Sequence, residues 1–134
     1  MSTQEVPMNN SPFSSEEINH FEELLKEERK ESKHKINEFK ERLKELEDKL
    51  DNTNSSAAHH QGNIGSSEEE REKYYSLISK EEEKLEEIEE ALLRMENGDY
   101  GICTSTGKPI KKERLKVKPH AKYSIEAVRA ANTT

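Results

Sequence analysis

Apolar residues recur at alternating spacings of three and four in two separate stretches of the chain. The first stretch carries Ile36, Phe39, Leu43, Leu46 and Leu50. The second carries Tyr74, Ile78, Leu85, Ile88, Leu92 and Met95, with Glu81 in the same register. This spacing forms one narrow stripe on an α-helix, the seam of a coiled coil. Because only 29% of the residues are hydrophobic and 38% are charged, the composition favours a thin seam between long helices, and we predict an all-α dominated fold.

Polar residues mark the start of the first helix. Ser14 followed by Glu17 is a capping-box pattern, and Phe13 before it is placed as a hydrophobic staple. The stretch before this box is polar and contains two prolines. We therefore predict a flexible leader over residues 1–13 and a helix from residue 14 to about Leu50.

A turn-rich insert separates the two heptad stretches. Residues 51–67 contain Asn, Ser and two glycines, which predicts a tip loop over about 51–67 and a second helix from near Ser67 to the Asn97–Gly98 pair. The two helices then form an antiparallel coiled-coil hairpin over residues 14–97. About 30 paired residues would make a rod of roughly 45 Å. Dimerisation of two separate long helices is the alternative, but the length of the insert favours a hairpin within one chain.

Two regions depart from the heptad pattern. Arg29 and Ser32 fall on seam positions of the first helix, which predicts looser packing there or packing against another element. Residues 98–134 form a separate small module: a glycine-punctuated knuckle, YGICTSTGKPI, a basic irregular segment, and a short amphipathic helix in YSIEAVRAA. Tyr123, Ile125 and Val128 are available there for packing.

Charge is distributed unevenly along the chain. The net charge is −7, but from Ile102 onward eight Lys and Arg stand against two Glu, giving +6 and leaving −13 on the preceding residues. Such asymmetry is typical of a protein whose partner presents complementary patches. The alternative interpretation is that the acidic helices are simply solvated and the basic tail is simply soluble.

The cysteine content and the absence of long apolar runs predict a cytoplasmic location. Cys103 is the single cysteine, which excludes a disulfide within the chain and fits a reducing compartment. No apolar run approaches the ~20 residues of a membrane span. The start, MSTQEVPMNN, has neither the basic nor the apolar part of a signal peptide.

The chain carries no recognisable set of catalytic residues, so we predict that it is not an enzyme. A phosphate-binding glycine loop, an HExxH motif and a nucleophile–base–acid set are all absent from the sequence. His59 and His60 lie in the turn-rich insert without other ligands at metal-binding spacing. Cys103 is either a reactive thiol among lysines or, as we prefer, a small buried residue of the knuckle.

The knuckle and the segments beside it resemble the DksA/TraR family. That family has an alternating Leu/Ile helix, a Gly-x-aromatic-Gly-x-Cys-x-x-Cys-Gly motif, a basic Arg-Leu segment, a Pro and a second Cys-x-x-Cys. The residues that fall in place here are Gly98, Tyr100, Gly101, Cys103, Gly107, Ile110, Arg114, Leu115 and Pro119. The resemblance covers about 40 residues closely, and the preceding helical hairpin agrees with the family in layout.

The zinc-ligand positions of the family are lost in this sequence. Counting from Gly101 places the four family cysteines at Cys103, Thr106, Ser124 and Ala127. A structural zinc site needs four thiolate or imidazole ligands. We therefore predict a degenerate zinc finger that folds with no metal and no other cofactor.

Members of this family bind the secondary channel of bacterial RNA polymerase and regulate initiation without reading DNA sequence. The resemblance implies the same partner here, with the hairpin reaching toward the active site and the finger and terminal helix holding the outer rim. The candidate polymerase-binding residues are Asp51, His60, Asn63, Glu68, Lys80, Arg114 and Lys118.

The residues at the tip and at the nucleotide pocket differ from the family pattern. The family's paired tip aspartates match His60 and Asn63, so only Asp51 or Glu68 could supply acidic groups near the tip. The pocket for the alarmone guanosine tetraphosphate matches Glu87, Lys118 and Val128. Since only Lys118 is basic there, the resemblance implies little or no response to that nucleotide.

Two other functions fit the sequence. The hairpin could be a coiled-coil adaptor or structural element for another protein partner. The basic tail could instead bind nucleic acid, although it has only Tyr123 as a stacking aromatic and the −13 body repels phosphate. The sequence favours the polymerase regulator over both.

Overall fold

The structure is a computed structural model that describes residues 10–55 and 61–132, with side chains outside residues 51–66. The described residues form four helices: α1 (Ser15–Ser55), α2 (Gln61–Glu96), α3 (Lys112–Val117) and α4 (Ile125–Asn132). Within the described residues the only β-type pairing is an isolated bridge between Ile102 and Pro109. The predicted all-α dominated fold is confirmed. No helix in the described ranges is both long and apolar enough to cross a membrane.

The first helix begins with the predicted capping box. The backbone N–H of Ser14 donates to Glu17 Oε1 at 2.9 Å, and the N–H of Glu17 donates to Ser14 Oγ at 3.1 Å. These reciprocal bonds satisfy two amide groups that a helix start otherwise leaves without partners. The ring of Phe13, just outside the box, lies 5.6 Å from the ring of Phe21, so Phe13 fixes the direction in which the chain enters the helix.

The described residues form two compact units, and Lys30–Leu85 is one of them. In it α1 and α2 run antiparallel, because Ser32 contacts Glu81 whereas the later Phe39 contacts the earlier Tyr74. Its buried apolar residues are Ile36, Leu43, Leu46, Leu50 and Ile78. All five are predicted seam positions. The seam prediction therefore holds in this unit, with Phe39 only half-buried.

A polar pair interrupts the apolar seam of this unit. Ser32 is 1% exposed and its hydroxyl donates to Glu81 Oε2 at 2.5 Å. The sequence predicted either looser packing at Ser32 or packing against another element. The structure instead covers the small side chain with the longer Glu81, whose carboxylate satisfies the buried hydroxyl.

The second unit combines the chain up to Arg29 with the chain from Glu86 onward. We call it the C-terminal unit, because it contains the C-terminal module of residues 98–134. Its core brings residues of α1 and α2 together with residues of the C-terminal module: Phe21, Leu25, Ile88, Ala91, Tyr100, Cys103, Ile110, Leu115 and Ala121. The upstream half of α1 thus packs against another element, as one of the two sequence-based alternatives stated. Tyr100 is 1% exposed, and its hydroxyl donates to the carbonyl of Pro119 at 2.8 Å.

The structure differs from the predicted boundaries in three places. The helices extend to Ser55 and from Gln61, so the predicted loop over 51–67 was too long. The predicted flexible leader covers residues 1–13, of which 1–9 lie outside the described residues; in its remaining part the N–H groups of Asn10 and Ser11 both donate to the carbonyl of Gly98. The compact units also place the base of both helices with the C-terminal module, whereas the sequence suggested a division at residue 97.

The predicted C-terminal helix is present as α4, but it packs less than expected. None of its described residues is fully buried, and Tyr123 just before it is 41% exposed. Leu115 and Ala121, which precede α4, are the residues of this region that are buried in the core. Of the three residues available for packing, Tyr123 remains exposed, and its ring centre lies 5.6 Å from the Lys122 ammonium, while Ile125 and Val128 are half-buried.

Candidate functional site

The knuckle begins where α2 ends, in a Schellman-type C-cap. The N–H of Gly98 donates to Met95 O at 3.2 Å, and the N–H of Asp99 donates to Arg94 O at 2.8 Å. Gly98 has φ of +78°, the left-handed conformation that this cap requires and that glycine adopts without strain. This cap turns the chain from α2 into the knuckle and sets the position of Tyr100 and Cys103.

Gly101 is held at close range to the N-terminal segment. Its φ is +86°, and a Cβ at this position would lie 2.3 Å from Phe13 Cε2. The Phe13 ring thus occupies the space that any other residue at 101 would fill. The N-terminal segment and the knuckle are therefore packed against each other at a point where only glycine fits.

Backbone hydrogen bonds fold residues 101–110 into a tight knuckle around Cys103. The N–H of Cys103 donates to Lys108 O at 2.8 Å, and the N–H of Gly107 donates back to Cys103 O at 2.8 Å. Across the base, the N–H of Ile110 donates to Gly101 O at 2.7 Å. These bonds give the knuckle a defined conformation through its backbone alone.

Cys103 is 1% exposed and surrounded by hydrogen-bond donors. Burial raises the pKa of its thiol, but hydrogen bonds from the Thr106 hydroxyl and from the N–H groups of Ser124, Thr106 and Ser105 outweigh burial and lower the pKa to about 6. These donors stabilise the thiolate. Cys103, Thr106 and Ser124, three of the four family ligand positions, are therefore close together in the structure.

The groups at these positions do not fit a tetrahedral zinc site. The hydroxyl oxygens of Thr106 and Ser124 accept hydrogen bonds from the N–H groups of Lys108 and Ala127, at 3.2 and 3.1 Å. The side chain of Ala127 has no donor atom, which leaves Cys103 as the single strong ligand. In the part of the chain with described side chains, no group of three or more His, Cys, Asp or Glu is arranged to hold a metal.

His120, the remaining imidazole near the knuckle, is engaged with both long helices. It is 7% exposed, its Nδ1 lies 3.2 Å from Glu28 Oε1 of α1, and its Nε2 lies 3.7 Å from Glu87 Oε1 of α2. Burial lowers the pKa of His120 despite the attraction of the two carboxylates. His120 therefore links the C-terminal module to both helices.

The residues matched to the alarmone pocket do not form a cationic cluster. Glu87 is the carboxylate beside His120. Lys118 is an exposed residue at the end of α3, and Val128 is a half-buried residue of α4. A carboxylate at the first of these positions lowers the affinity for a polyphosphate.

The other polymerase-binding candidates lie in different parts of the chain. Arg114 is half-buried in α3 and donates from Nε to the carbonyl of Tyr123 at 2.8 Å. Glu68 and Lys80 are exposed on α2. The side chains of the remaining candidates, Asp51, His60 and Asn63, lie outside the described residues.

Two contacts in the C-terminal unit were missed by sequence reasoning. Lys112 of α3 pairs with Glu17 of the capping box, which lowers the pKa of the Glu17 carboxyl, with the Ser14 amide contributing. The second is the link between His120 and Glu28. The two residues of each pair are 95 and 92 positions apart in the sequence, respectively, and no local sequence pattern indicates a contact over such a distance. Their complementary charges were the only hint that the sequence contained.

Comparisons with known proteins agree with this arrangement. Residues 98–128 match the family described as the prokaryotic dksA/traR C4-type zinc finger. General stress protein 16O of Bacillus subtilis (strain 168) is 47% identical over 45 residues, which are 34% of this chain and 28% of that protein. The RNA polymerase-binding transcription factor DksA of Caulobacter vibrioides (strain NA1000 / CB15N) is 46% identical over 43 residues, 32% of this chain and 30% of that protein. These matches span less than a third of the curated relatives.

A solved structure extends the likeness to almost the whole chain. Transcription factor DksA2 from Pseudomonas aeruginosa is 31% identical, with a TM-score of 0.75 over 90% of this chain and 86% of that chain. The likeness therefore includes the long helices as well as the knuckle. By its knuckle sequence and by this alignment, the chain belongs to the DksA/TraR family.

Proposed function

We propose that this protein binds RNA polymerase through the secondary channel and modulates initiation without specific DNA binding. The observation that carries the proposal is the 31% identity to DksA2 over 90% of this chain. The Caulobacter relative is named as RNA polymerase-binding, which supports the same partner here. Such a protein acts where the polymerase is, in the cytoplasm, and carries out no reaction of its own.

The charge distribution also supports this partner. The residues before Ile102 carry −13 and those from Ile102 onward carry +6. An acidic helix pair is suited to a basic channel, and a basic module is suited to an acidic outer surface. Since both contacts are electrostatic, affinity for the polymerase should fall as ionic strength rises.

Binding is tested by mixing purified protein with core polymerase and measuring association and transcription from a purified promoter. We expect a stable complex and a changed yield of initiated transcripts. A photo-cross-linker in place of Glu68, an exposed residue of α2, should attach to the walls of the secondary channel. Cross-links confined to the outside of the enzyme would contradict the channel route, and capture of another protein in preference to polymerase would favour the adaptor function.

A charge reversal tests the predicted polymerase-facing side of α2. Lys80→Glu should weaken binding because it places a carboxylate on a surface that the resemblance assigns to polymerase contact. Lys44→Glu is the matched control, because Lys44 is also an exposed lysine and lies on α1. If both variants weaken binding to the same extent, net charge rather than a specific face determines affinity.

We further propose that the knuckle of this protein folds without zinc. Support comes from the donor set, in which Cys103 is the one strong ligand while Thr106 and Ser124 accept backbone hydrogen bonds. Elemental analysis of protein purified with zinc in the medium should find far less than one zinc per chain, and a chelator should leave the melting temperature unchanged. One tightly held zinc per chain would overturn this proposal.

We propose, finally, that guanosine tetraphosphate does not change the activity of this protein. The carboxylate of Glu87 beside His120 supports this, since it stands at the position where the family places a basic residue. Transcription assays with and without the nucleotide should show the same effect of the protein, measured relative to parallel reactions that lack the protein.

A further inference from the structure

The N-terminal strap, residues 10–14 just ahead of α1, is fastened to the knuckle by hydrogen bonds. The N–H groups of Asn10 and Ser11 donate to the carbonyl of Gly98, at 2.8 and 3.1 Å. The side-chain Nδ2 of Asn10 also donates to Asp99 Oδ1 at 3.1 Å, a contact between residues 89 positions apart in the sequence. The strap therefore holds the first turn of the knuckle, where the chain leaves α2.

The ring of Phe13 supplies the apolar part of this fastening. Its centre lies 5.6 Å from the ring of Phe21 and 6.4 Å from the ring of Tyr100. Its edge fills the space beside Gly101. The chain contains three Phe, four Tyr and no Trp, so this cluster uses a large share of its aromatic side chains. Packed aromatic rings are among the strongest sources of apolar stabilisation available to a chain of this composition.

The knuckle needs support from outside, because its former ligand positions replace a metal with hydrogen bonds. Small zinc-binding modules obtain most of their folding free energy from the metal. Here the hydroxyl oxygens of Thr106 and Ser124 accept backbone N–H groups at 3.2 and 3.1 Å. A hydrogen bond contributes far less net stability than a structural zinc ion. Much of the missing stability must therefore come from packing outside these positions.

We propose that the N-terminal strap holds the knuckle in the conformation that zinc holds in C4-type members of the family, with Phe13 as its main anchor. This inference rests on the proposed absence of zinc and explains how the knuckle stays folded without it. The pair of Glu17 and Lys112 adds less, because both side chains are more than a third exposed or close to it, at 34 and 42%, and an exposed ion pair contributes little. Strap and metal are then interchangeable.

Hydrogen exchange of the full chain, followed by mass spectrometry of its peptides, tests the anchor. Phe13→Ala should raise the exchange rate of peptides within residues 101–110 about tenfold or more, because removal of a packed ring favours local opening. The hydrogen-bonded amides there are those of Cys103, Gly107 and Ile110. Peptides of Lys30–Leu85 should exchange as before, which shows that the variant is folded. Unchanged protection of the knuckle would overturn the proposal.

Phe39→Ala is the matched control. Phe39 is also half-buried, and its ring centre lies 5.9 Å from that of Tyr74 in the other compact unit. The same substitution there should raise exchange in the peptides around Phe39 and leave the knuckle protected. Equal loosening of the knuckle by both variants would contradict the proposal, because the effect would then reflect general destabilisation of the chain.

Restoring the zinc ligands tests whether strap and metal are interchangeable. Thr106→Cys, Ser124→Cys and Ala127→Cys, combined in one variant, supply with Cys103 the complete ligand set of the family. Elemental analysis of this variant should find about one zinc per chain. Once zinc is bound, Phe13→Ala should raise knuckle exchange less than about threefold, because opening then requires release of the metal.

Two results with the cysteine variant would overturn the proposal. If Phe13→Ala loosens the zinc-loaded knuckle as much as it loosens the unchanged one, Phe13 is an ordinary core residue and no substitute for the metal. If the cysteine variant takes up no zinc, the strap does not keep the ligand positions in the arrangement that the family uses.

The outcomes separate this inference from the proposed absence of zinc. If the unchanged protein holds about one zinc per chain, the zinc-free proposal fails and this inference fails with it. If the unchanged protein holds no zinc and Phe13→Ala leaves the knuckle protected, this inference alone is overturned.

Discussion

Substitution of Gly101 by alanine should destabilise the C-terminal unit by two separable effects. The first is conformational, because φ at Gly101 is +86° and an L-residue in this region costs about 1–2 kcal/mol. The second is steric, because the new Cβ would lie 2.3 Å from Phe13 Cε2 and 2.8 Å from Cδ2. Displacing the Phe13 ring and repacking the site costs about 1–3 kcal/mol. The expected total is about 2–5 kcal/mol, a large part of a typical domain stability.

Gly107 offers a control with the same backbone strain and no clash. Its φ is +74°, and a Cβ there would meet nothing within 4 Å. Gly107→Ala should therefore cost only the conformational part, about 1–2 kcal/mol. The difference between the two variants isolates the contact between Gly101 and Phe13.

Equilibrium urea unfolding measures these free energies, followed by tyrosine fluorescence and by far-ultraviolet circular dichroism. Tyr100 lies in the affected core, with its ring 6.4 Å from that of Phe13, so it contributes a signal from the relevant unit to the summed fluorescence of the four tyrosines. In a Phe13→Ala background, Gly101→Ala should cost no more than Gly107→Ala, because the clashing ring is gone. The reasoning is refuted if the two glycine variants are equally stable, or if removal of Phe13 leaves their difference unchanged.

Three further predictions concern a thiolate, a buried imidazole and a helix cap. An ultraviolet titration of the single thiolate should give a midpoint near pH 6 rather than the ordinary value of 9, and Thr106→Val should raise that midpoint. Burial holds the folded-state pKa of His120 below its ordinary value of 6.5, so the contribution of this residue to the free energy of unfolding should be largest above pH 6.5 and decrease as the pH falls below it. His120→Gln should reduce this pH dependence in urea melts. An unchanged pH dependence in the variant would contradict the prediction. Ser14→Ala should cost about 1 kcal/mol in the same melts by removing the N-cap acceptor, whereas Ser15→Ala, one residue inside the helix, should cost little.

The sequence predicted the parts of the fold that depend on local spacing. The seam positions of Lys30–Leu85 follow from alternating spacings of three and four, which are the rule for two helices that pack as a left-handed coiled coil. The capping box at Ser14 needs only residues three positions apart. Both predictions succeeded because the relevant physics acts within one or two helical turns.

The tip was predicted less well because turn-forming residues oppose a helix only weakly. Asn, Ser and Gly cost at most about 1 kcal/mol each in a helix. Both helices therefore include several of these residues, and α1 ends at Ser55 while α2 begins at Gln61. A composition rich in these residues indicates where a turn lies. It does not fix the last residue of each helix.

The candidate site was predictable in outline but not in its contacts. The resemblance identified the knuckle and its missing ligands, since Cys103, Thr106, Ser124 and Ala127 can be counted from Gly101. The partners of His120 and the donors around the thiol depend on tertiary packing. Glu28 is 92 residues from His120, and no pattern in one sequence links residues so far apart.

The contact of the buried Ser32 with the half-buried Glu81 affects how uniquely the two helices pair. A heptad repeat allows two helices to slip by seven residues and still match apolar to apolar along most of the seam. Ser32 faces Glu81 and, seven residues along each helix, Phe39 faces Tyr74. If the helices slipped by one heptad in the direction that places Glu81 opposite Phe39, the Glu81 carboxylate would lose its hydrogen bond from the Ser32 hydroxyl. This loss would destabilise the slipped pairing by about 1–3 kcal/mol or more. One serine and one glutamate therefore exclude the misaligned pairings that the apolar residues alone would tolerate.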